Sequence, residues 1–171
     1  MQIRLGNKQD EASVRQIVAR AHSAPPAHLD ESGKTESPGD FLLLDLTGQD
    51  KDLVNIEANY IGHDGTFLVA EQDRKVVGFA LARSKPGPES DSVCLLRRLM
   101  VERPVDGFEL SIEELITKLI EKVESFACNL DYRILQVDLG GAAPDMETVL
   151  SRLNYQKSAT EEGVFYARQL P

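Results

Sequence analysis

Residues 93 to 128 place a largely apolar segment, VCLLRRLMV, ahead of a turn and a long amphipathic helix. The segment has the length of a strand, and its composition predicts burial on both faces except at Arg97 and Arg98. The helix, from about residue 111 to 128, carries one apolar stripe: Leu115, Ile116, Leu119, Ile120, Val123 and Phe126. A strand followed by a helix with one apolar face predicts a sheet covered by helices.

Shorter segments flank this unit. Residues 2 to 5 predict a strand, and Asp10 can cap the helix that follows. A hairpin is predicted from Phe67 to Glu71 and from Val76 to Arg83, with a polar turn between them. Further helices are predicted at 40 to 46, 50 to 61 and 145 to 154, further strands at 133 to 139 and 164 to 170, and a mobile loop rich in Pro, Gly and Ser at 24 to 39.

The predicted elements follow the order β-α-α-β-β-β-α-β-α-β. Strands alternate with helices in the second half, which favours parallel pairing, whereas the hairpin requires antiparallel pairing. The fold class is therefore α/β or α+β, with one central mixed sheet. We expect a single domain spanning residues 1–171, because the length is sufficient for one core.

Composition restricts the partners. The net charge of −9 repels nucleic acid phosphates and anionic membranes, so we expect neither as a partner. The charge either serves solubility alone or weakly favours cationic amines. No apolar run approaches the ~20 residues of a membrane span, and the N-terminus has no signal-peptide pattern, so we expect a cytoplasmic protein. Cys94 and Cys128 are expected as thiols, with a disulfide as the alternative.

Common catalytic motifs are missing from the sequence. It contains no G-x-x-x-x-G-K-[ST], no G-x-G-x-x-G, no G-x-S-x-G and no H-E-x-x-H. His22 and His28 have no ligand partner at a useful spacing, so we predict no metal site.

Three phrases resemble one family in order and spacing. LVAEQDRKVVGFALA is similar to the second and third strands of the GNAT superfamily of acyl-CoA-dependent N-acyltransferases, CLLRRLMV to the fourth, and RLNYQKS to the segment before the last strand pair. The resemblance covers nearly the whole chain. It implies a sheet of six to seven strands with helices on both faces, and acetyl-CoA as cosubstrate.

The resemblance also implies where acetyl-CoA binds. The cosubstrate would lie where the fourth and fifth strands part, with its pantetheine on the backbone of Leu99, Met100 and Val101. Its pyrophosphate would lie on the next helix start, where backbone N–H groups and the helix dipole stabilise anions. The corresponding turn and helix start are Asp106, Gly107, Phe108, Glu109, Leu110, Ser111 and Ile112. Only Gly107 and Ser111 match the family pattern, since Asp106 and Glu109 replace a Gln or Arg and a glycine.

The same helix start has a second interpretation. Ser111 and Glu114 form the capping-box pattern S-x-x-E, and Glu113 also lies in the first turn. The helix start either binds a pyrophosphate or satisfies its N–H groups with its own side chains. Two like charges a few ångströms apart repel by roughly 4 kcal/mol at an effective dielectric near 20, less when exposed.

Acyl transfer by direct attack needs an oxyanion donor, a base and an acid. The resemblance assigns the donor to backbone N–H near Met100 or Val101. Asp138, late in the fifth strand, and Glu57, on the second helix, are further catalytic candidates. The candidate acceptor contacts are Tyr60 and Arg97. Apolar residues stand where the family carries polar side chains: Leu95, Ala143 and Leu150.

Arg97 and Arg98 are adjacent on a predicted strand, so we expect their side chains to face opposite ways. One of them either binds an anionic group of the acceptor or forms a salt bridge with a neighbouring acidic residue.

Two functions fit the sequence. The first is an N-acyltransferase that moves an acetyl or other acyl group from CoA to a small-molecule or protein amine. The second is an inactive GNAT-like binding module with weak or no CoA binding, with a homodimer as one form. Fold alone does not separate them.

Overall fold

Seven strands form one mixed sheet. They are β1 (Gln2–Leu5), β2 (Thr66–Gln72), β3 (Lys75–Ser84), β4 (Val93–Val101), β5 (Ile134–Val137), β6 (Gln156–Thr160) and β7 (Gly163–Gln169). Their order across the sheet is β1-β2-β3-β4-β5-β7-β6. Only β4 and β5 pair in parallel; the other pairs are antiparallel. The computed structural model describes residues 1–23, 50–88, 92–102, 110–138, 144–160 and 163–171.

Helices cover both faces of this sheet. They are α1 (Glu11–Ser23), α2 (Ile56–Asn59), α3 (Ile112–Asn129) and α4 (Pro144–Arg152). Along β2, Phe67 and Val69 pack with α1 and α2, whereas Leu68 and Ala70 pack with α3 and α4. Two apolar cores therefore bury the central strands from both sides. The predicted fold class is confirmed.

Several elements differ from the sequence-based prediction. The helix predicted at 50 to 61 divides into 3-10 turns at Lys51–Leu53 and Ile61–His63 with α2 between them. The division occurs because the Asn55 side chain accepts the N–H of Ala58 and starts a new turn. Strand β6 was not predicted, because QKSAT has only one apolar residue. It forms by pairing with β7.

The apolar stripe of α3 was predicted almost completely. Ala127 takes a buried place at its end, while Phe126 is only half-buried. Both cysteines are free thiols, and burial raises the pKa of Cys94 to about 12. Among the described helices, none has the length and apolar composition needed to cross a membrane. The helix predicted at 40 to 46 and the loop predicted at 24 to 39 lie outside the described residues.

Candidate functional site

β4 and β5 part halfway along β4. Their paired residues run from Val93 opposite Ile134 to Leu96 opposite Val137. One more hydrogen bond, 3.0 Å long, joins the N–H of Asp138 to the carbonyl of Leu96. From there to Val101, the described part of β4 pairs only with β3. We call the space beside this free edge the β4–β5 gap, and Asp138 stands at its closed end.

A β-bulge occurs at the point where the gap opens. Ala82 of β3 lies opposite Leu96 and Leu81 lies opposite Arg98, so Arg97 is the extra residue. The bulge also shifts the side-chain alternation. Leu96 and Leu99 are three residues apart, yet both pack in the apolar core that α3 and α4 cover, called the α3 core below. A regular strand would have put them on opposite faces.

The bulge decides which backbone groups face the gap. The N–H of Glu102 donates to Val77 of β3 at 2.8 Å. Because antiparallel pairs alternate between hydrogen-bonded and non-bonded, the N–H of Met100 also faces β3. The N–H groups of Leu99 and Val101 consequently point into the gap. Of the two predicted oxyanion donors, Met100 turns its N–H toward β3, which corrects that assignment, whereas the geometry favours Val101 together with Leu99.

The two arginines of the bulge have different surroundings. Arg98 binds Asp52 through Nε at 3.1 Å and Nη2 at 2.7 Å, and Asp50 through Nη1 at 3.0 Å. The hydroxyl of Tyr60 donates to the same carboxylate of Asp52. Arg97, in contrast, is exposed and has no hydrogen bond or ion pair with any residue that the structure describes. The salt-bridge alternative therefore holds for Arg98.

Electrostatics place both arginines near Asp52. Burial alone would raise the pKa of Asp52, but the hydrogen bonds from Arg98 and Tyr60 and the charges of Arg98 and Arg97 hold it below its ordinary value. Burial, together with the bond to Asp52, raises the pKa of Tyr60 well above its ordinary value. The expectation that the arginines face opposite ways is wrong, because the bulge interrupts the alternation.

The other predicted contacts lie in different places. Tyr60 is fully buried, so its hydroxyl holds Asp52 and is not presented to an acceptor. Glu57 is exposed on α2, in a depression of about 380 Å³ that Ala58 and Ile61 also line. No contact among the described residues brings Glu57 to the gap. Asp138, the other predicted catalytic carboxylate, is half-buried, and its backbone N–H lies at the closed end of the gap.

The start of α3 is capped by its own side chains, as the sequence predicted. The N–H of Ser111 donates to Glu114 Oε2 at 2.8 Å, and the N–H of Glu114 donates to Ser111 Oγ at 3.2 Å. The Ser111 N–H and the Ser111 hydroxyl, which also donates to Glu114 Oε2 at 2.8 Å, lower the pKa of Glu114. The N–H groups of Ile112 and Glu113 find no acceptor within the described ranges. Asp106, Gly107, Phe108 and Glu109 lie outside those ranges.

Arg152 lies beside this helix start, which sequence reasoning missed. From the last turn of α4 it donates to Glu113 Oε2 at 3.3 Å and to the Thr117 hydroxyl at 3.1 Å. Its charge also contributes to the lowered pKa of Glu114. The sequence gives no signal for this contact, because 39 residues separate Arg152 from Glu113.

The apolar residues that stand where the family carries polar side chains contribute to the core wherever the structure describes them. Leu95 and Leu150 are buried, and Leu150 packs in the α3 core. Tyr155 is also in this core, and its hydroxyl donates to Glu124 at 2.7 Å. Ala143 lies outside the described residues. Leu150, at the position where the family carries an acid for the leaving thiolate, therefore cannot supply a proton from its side chain.

The cap can be tested by Ser111→Ala. We expect the free energy of unfolding to fall by about 1 kcal/mol, because the N–H of Glu114 loses its acceptor. Urea denaturation measures the change. Ser125→Ala is the matched control, since Ser125 lies mid-helix and bonds only the Glu121 carbonyl at 2.9 Å, where alanine is neutral or slightly stabilising. An equal loss in both variants would contradict the assigned cap.

The pH dependence of this variant follows from the lowered pKa of Glu114. Such a carboxylate stabilises the fold at pH values above its unfolded pKa, and the contribution is lost as the pH falls through the lowered folded pKa. The difference in the free energy of unfolding between Ser111→Ala and the unchanged chain should therefore become smaller at acidic pH.

Solved acetyltransferase structures are similar to nearly the whole chain. A GNAT-family acetyltransferase from Staphylococcus aureus Mu50 is 15% identical, with a TM-score of 0.68 and 99% of each chain covered. A protein from Salmonella typhimurium, solved with its cofactor acetyl-CoA, is 18% identical, with a TM-score of 0.68 and coverage of 100% of this chain and 94% of that one.

A further similar structure is a GNAT superfamily phosphinothricin acetyltransferase from Sinorhizobium meliloti in complex with AcCoA. It is 15% identical, with a TM-score of 0.69 and coverage of 99% of this chain and 88% of that one. No family model and no curated protein matches the sequence. At these identities the likeness shows that the chain has the GNAT fold, so the predicted resemblance is confirmed at the level of the fold.

Proposed function

We propose that this chain transfers an acetyl or other acyl group from CoA to a primary amine by direct attack of the amine on the thioester. One observation carries the proposal: the parting of β4 and β5 leaves the N–H groups of Leu99 and Val101 facing a gap. A binding module of this fold would not need unpaired donors inside its sheet, because unpaired backbone groups are costly unless a ligand or solvent satisfies them.

Acetyl-CoA fits the described residues at two places. The gap offers backbone N–H groups for the pantetheine and the thioester oxygen, as the resemblance implies. The start of α3 offers the N–H groups of Ile112 and Glu113, which the capping box leaves over. Acetyl-CoA would supply the activated acyl group, and the residues of this chain would orient it.

Charge near the helix start is better balanced than the sequence indicates. Glu113 pairs with Arg152 at 3.3 Å, and Glu114 is engaged by Ser111. Arg152 therefore supplies a cation beside the start of α3. A pyrophosphate that approached the N–H groups of α3 would compete with Glu113 for this guanidinium.

The catalytic roles follow from the same gap. The N–H groups of Leu99 and Val101 can stabilise the negative charge that develops on the thioester oxygen. The backbone N–H of Asp138 places this residue at the closed end of the gap, and its carboxylate is our candidate for accepting the ammonium proton, directly or through water. We assign this role to Asp138 and not to Glu57, because no described contact links Glu57 to β4.

Thermal melting with acetyl-CoA tests the proposed function. A ligand at 100 times its dissociation constant stabilises the folded state by about 2.7 kcal/mol, which shifts the Tm by several degrees for a domain of this size. We expect this shift with acetyl-CoA. If acetyl-CoA, propionyl-CoA and longer acyl-CoA all leave the Tm unchanged at millimolar concentration, the inactive binding module is the better explanation.

Glu113→Gln should tighten acetyl-CoA binding by about fivefold. The substitution removes one carboxylate beside the phosphate position and frees Arg152, and a screened pair of charges at 4 Å is worth about 1 kcal/mol. Calorimetric titration measures the dissociation constant. Glu121→Gln is the matched control, because Glu121 is an exposed carboxylate two turns further along α3 and should leave binding unchanged. If Glu113→Gln and Glu121→Gln change the dissociation constant equally, the tighter binding results from the change in net charge alone.

A further inference from the structure

Arg97 is an exposed cation beside the closed end of the β4–β5 gap, where β4 and β5 begin to part. It is the extra residue of the bulge, and it follows Leu96, whose carbonyl accepts the last hydrogen bond from β5. Bulges of this kind re-aim a side chain and are frequent beside active sites. The position of Arg97 therefore results from the same irregularity that turns the Leu99 and Val101 amides toward the gap.

Asp52, on which the charge of Arg97 acts, and Asp50, which shares Arg98 with it, are already engaged by other groups. Asp138, at the closed end of the gap, forms no ion pair with Arg97 in the described structure. Both oxygens of Asp52 accept hydrogen bonds from Arg98, and one of them also accepts the Tyr60 hydroxyl. Asp50 Oδ1 accepts from Arg98 at 3.0 Å and its side chain is only 3% exposed. Arg97 acts on Asp52 through its charge, yet it forms no direct pair with it in the described structure. Its guanidinium keeps its hydrogen-bond donors available to a ligand.

The distance along β4 between Arg97 and the two free amides favours a small ligand. Leu99 lies two residues beyond Arg97, which corresponds to about 7 Å along a strand. The acceptor amine would attack the thioester beside the N–H groups of Leu99 and Val101. A substituent a few bonds from that amine would then lie within reach of the Arg97 side chain. A guanidinium binds carboxylates with two parallel hydrogen bonds, which makes a carboxylate the natural partner.

We propose, on the basis of the acyl-transfer function above, that Arg97 binds a carboxylate of the acceptor and that the acceptors are small amines carrying a carboxylate near the amine, such as free amino acids. Arg97 is then a specificity-determining residue, while the paired Arg98 holds the structure around it.

The experiment compares each of the common L-amino acids, with β-alanine and 4-aminobutyrate, against its amide, using acetyl-CoA as donor and the release of the CoA thiol as readout. The amide removes only the negative charge. The amide group also makes the amine less basic, so that more of it is unprotonated and able to attack. This effect favours the amide and therefore opposes the expected preference for the acid. For at least one acid, we expect kcat/KM to exceed that of its amide at least tenfold.

Arg97→Gln should lower kcat/KM for that acid by about 10- to 100-fold, as expected for one charged hydrogen-bonded pair, with the amide unchanged within about twofold. Arg97→Lys should restore part of the loss. Calorimetric titration of the acid should show the same weakening. Arg133→Gln is the matched control, because Arg133 is also exposed but precedes the far end of β5. The Tm of all three variants should be unchanged.

The outcomes separate the two proposals. Equal transfer to acids and amides, or a loss in Arg97→Gln that is the same for both, overturns the inference and leaves acyl transfer standing. Stabilisation by acetyl-CoA without acetylation of any acid in the panel also overturns it. Absence of both transfer and stabilisation rejects the proposed function, and the role of Arg97 is rejected with it.

Discussion

Val101→Pro is expected to lower kcat for acyl transfer by about 10²–10³-fold while the protein stays folded. Proline removes one backbone N–H, and at residue 101 this group faces the β4–β5 gap, where none of the described strands accepts it. A donor aimed at developing charge contributes about 2.7–4 kcal/mol to the transition state. Proline is tolerated in strands where the N–H faces away from the ladder, so the sheet should keep its pairing.

Met100→Pro is the matched control for this prediction. The N–H of Met100 faces Phe79 of β3, and its loss leaves a buried carbonyl without a donor. We expect this variant to lose about 1–3 kcal/mol of unfolding free energy. Urea denaturation and steady-state kinetics on both variants give the contrast. Normal kcat in a folded Val101→Pro protein would show that the amide of Val101 is not the donor and would leave that role to Leu99.

Local patterns predicted much of this fold. The period of the α3 stripe, the apolar run of β4 and the hairpin of β2 and β3 were visible in the sequence, because burial on one or two faces leaves a period in the residues. The capping box of Ser111 and Glu114 was visible for the same reason, since its partners lie three residues apart.

The decisive details of the site depend on distant residues. The bulge at Arg97 has no glycine or other local signal, and it arises from the register between β3 and β4. Asp50 and Asp52 lie 48 and 46 residues from Arg98, so the sequence could not show which of the two adjacent arginines is paired. The resemblance assigned the donor to Met100 or Val101, and the one inserted residue determines that the N–H of Val101, not that of Met100, faces the gap.

The paired arginine gives the largest expected effect on stability. Arg98→Met should lower the free energy of unfolding by about 3–5 kcal/mol, because the buried Asp50 and the partly exposed Asp52 would lose the guanidinium that binds both of them. Arg97→Met, one residue away, should change it by less than about 0.5 kcal/mol, since Arg97 is exposed. Urea denaturation at neutral pH measures both. Similar losses in the two variants would contradict the division of roles at the bulge.

The charge origin of this loss can be separated from lost packing by pH and by further substitution. The pKa of Asp52 lies below its ordinary value, so its contribution is present above the unfolded pKa and is lost as the pH falls through the folded pKa. Without Arg98, burial should raise that pKa, and the penalty should shrink as the pH falls toward 4. Arg98→Met combined with Asp50→Asn and Asp52→Asn should recover part of the stability at neutral pH, because no buried charge remains unpaired. If the penalty of Arg98→Met is the same at pH 7 and pH 4.5 and the triple variant recovers nothing, the arginine acts through packing of its aliphatic stem.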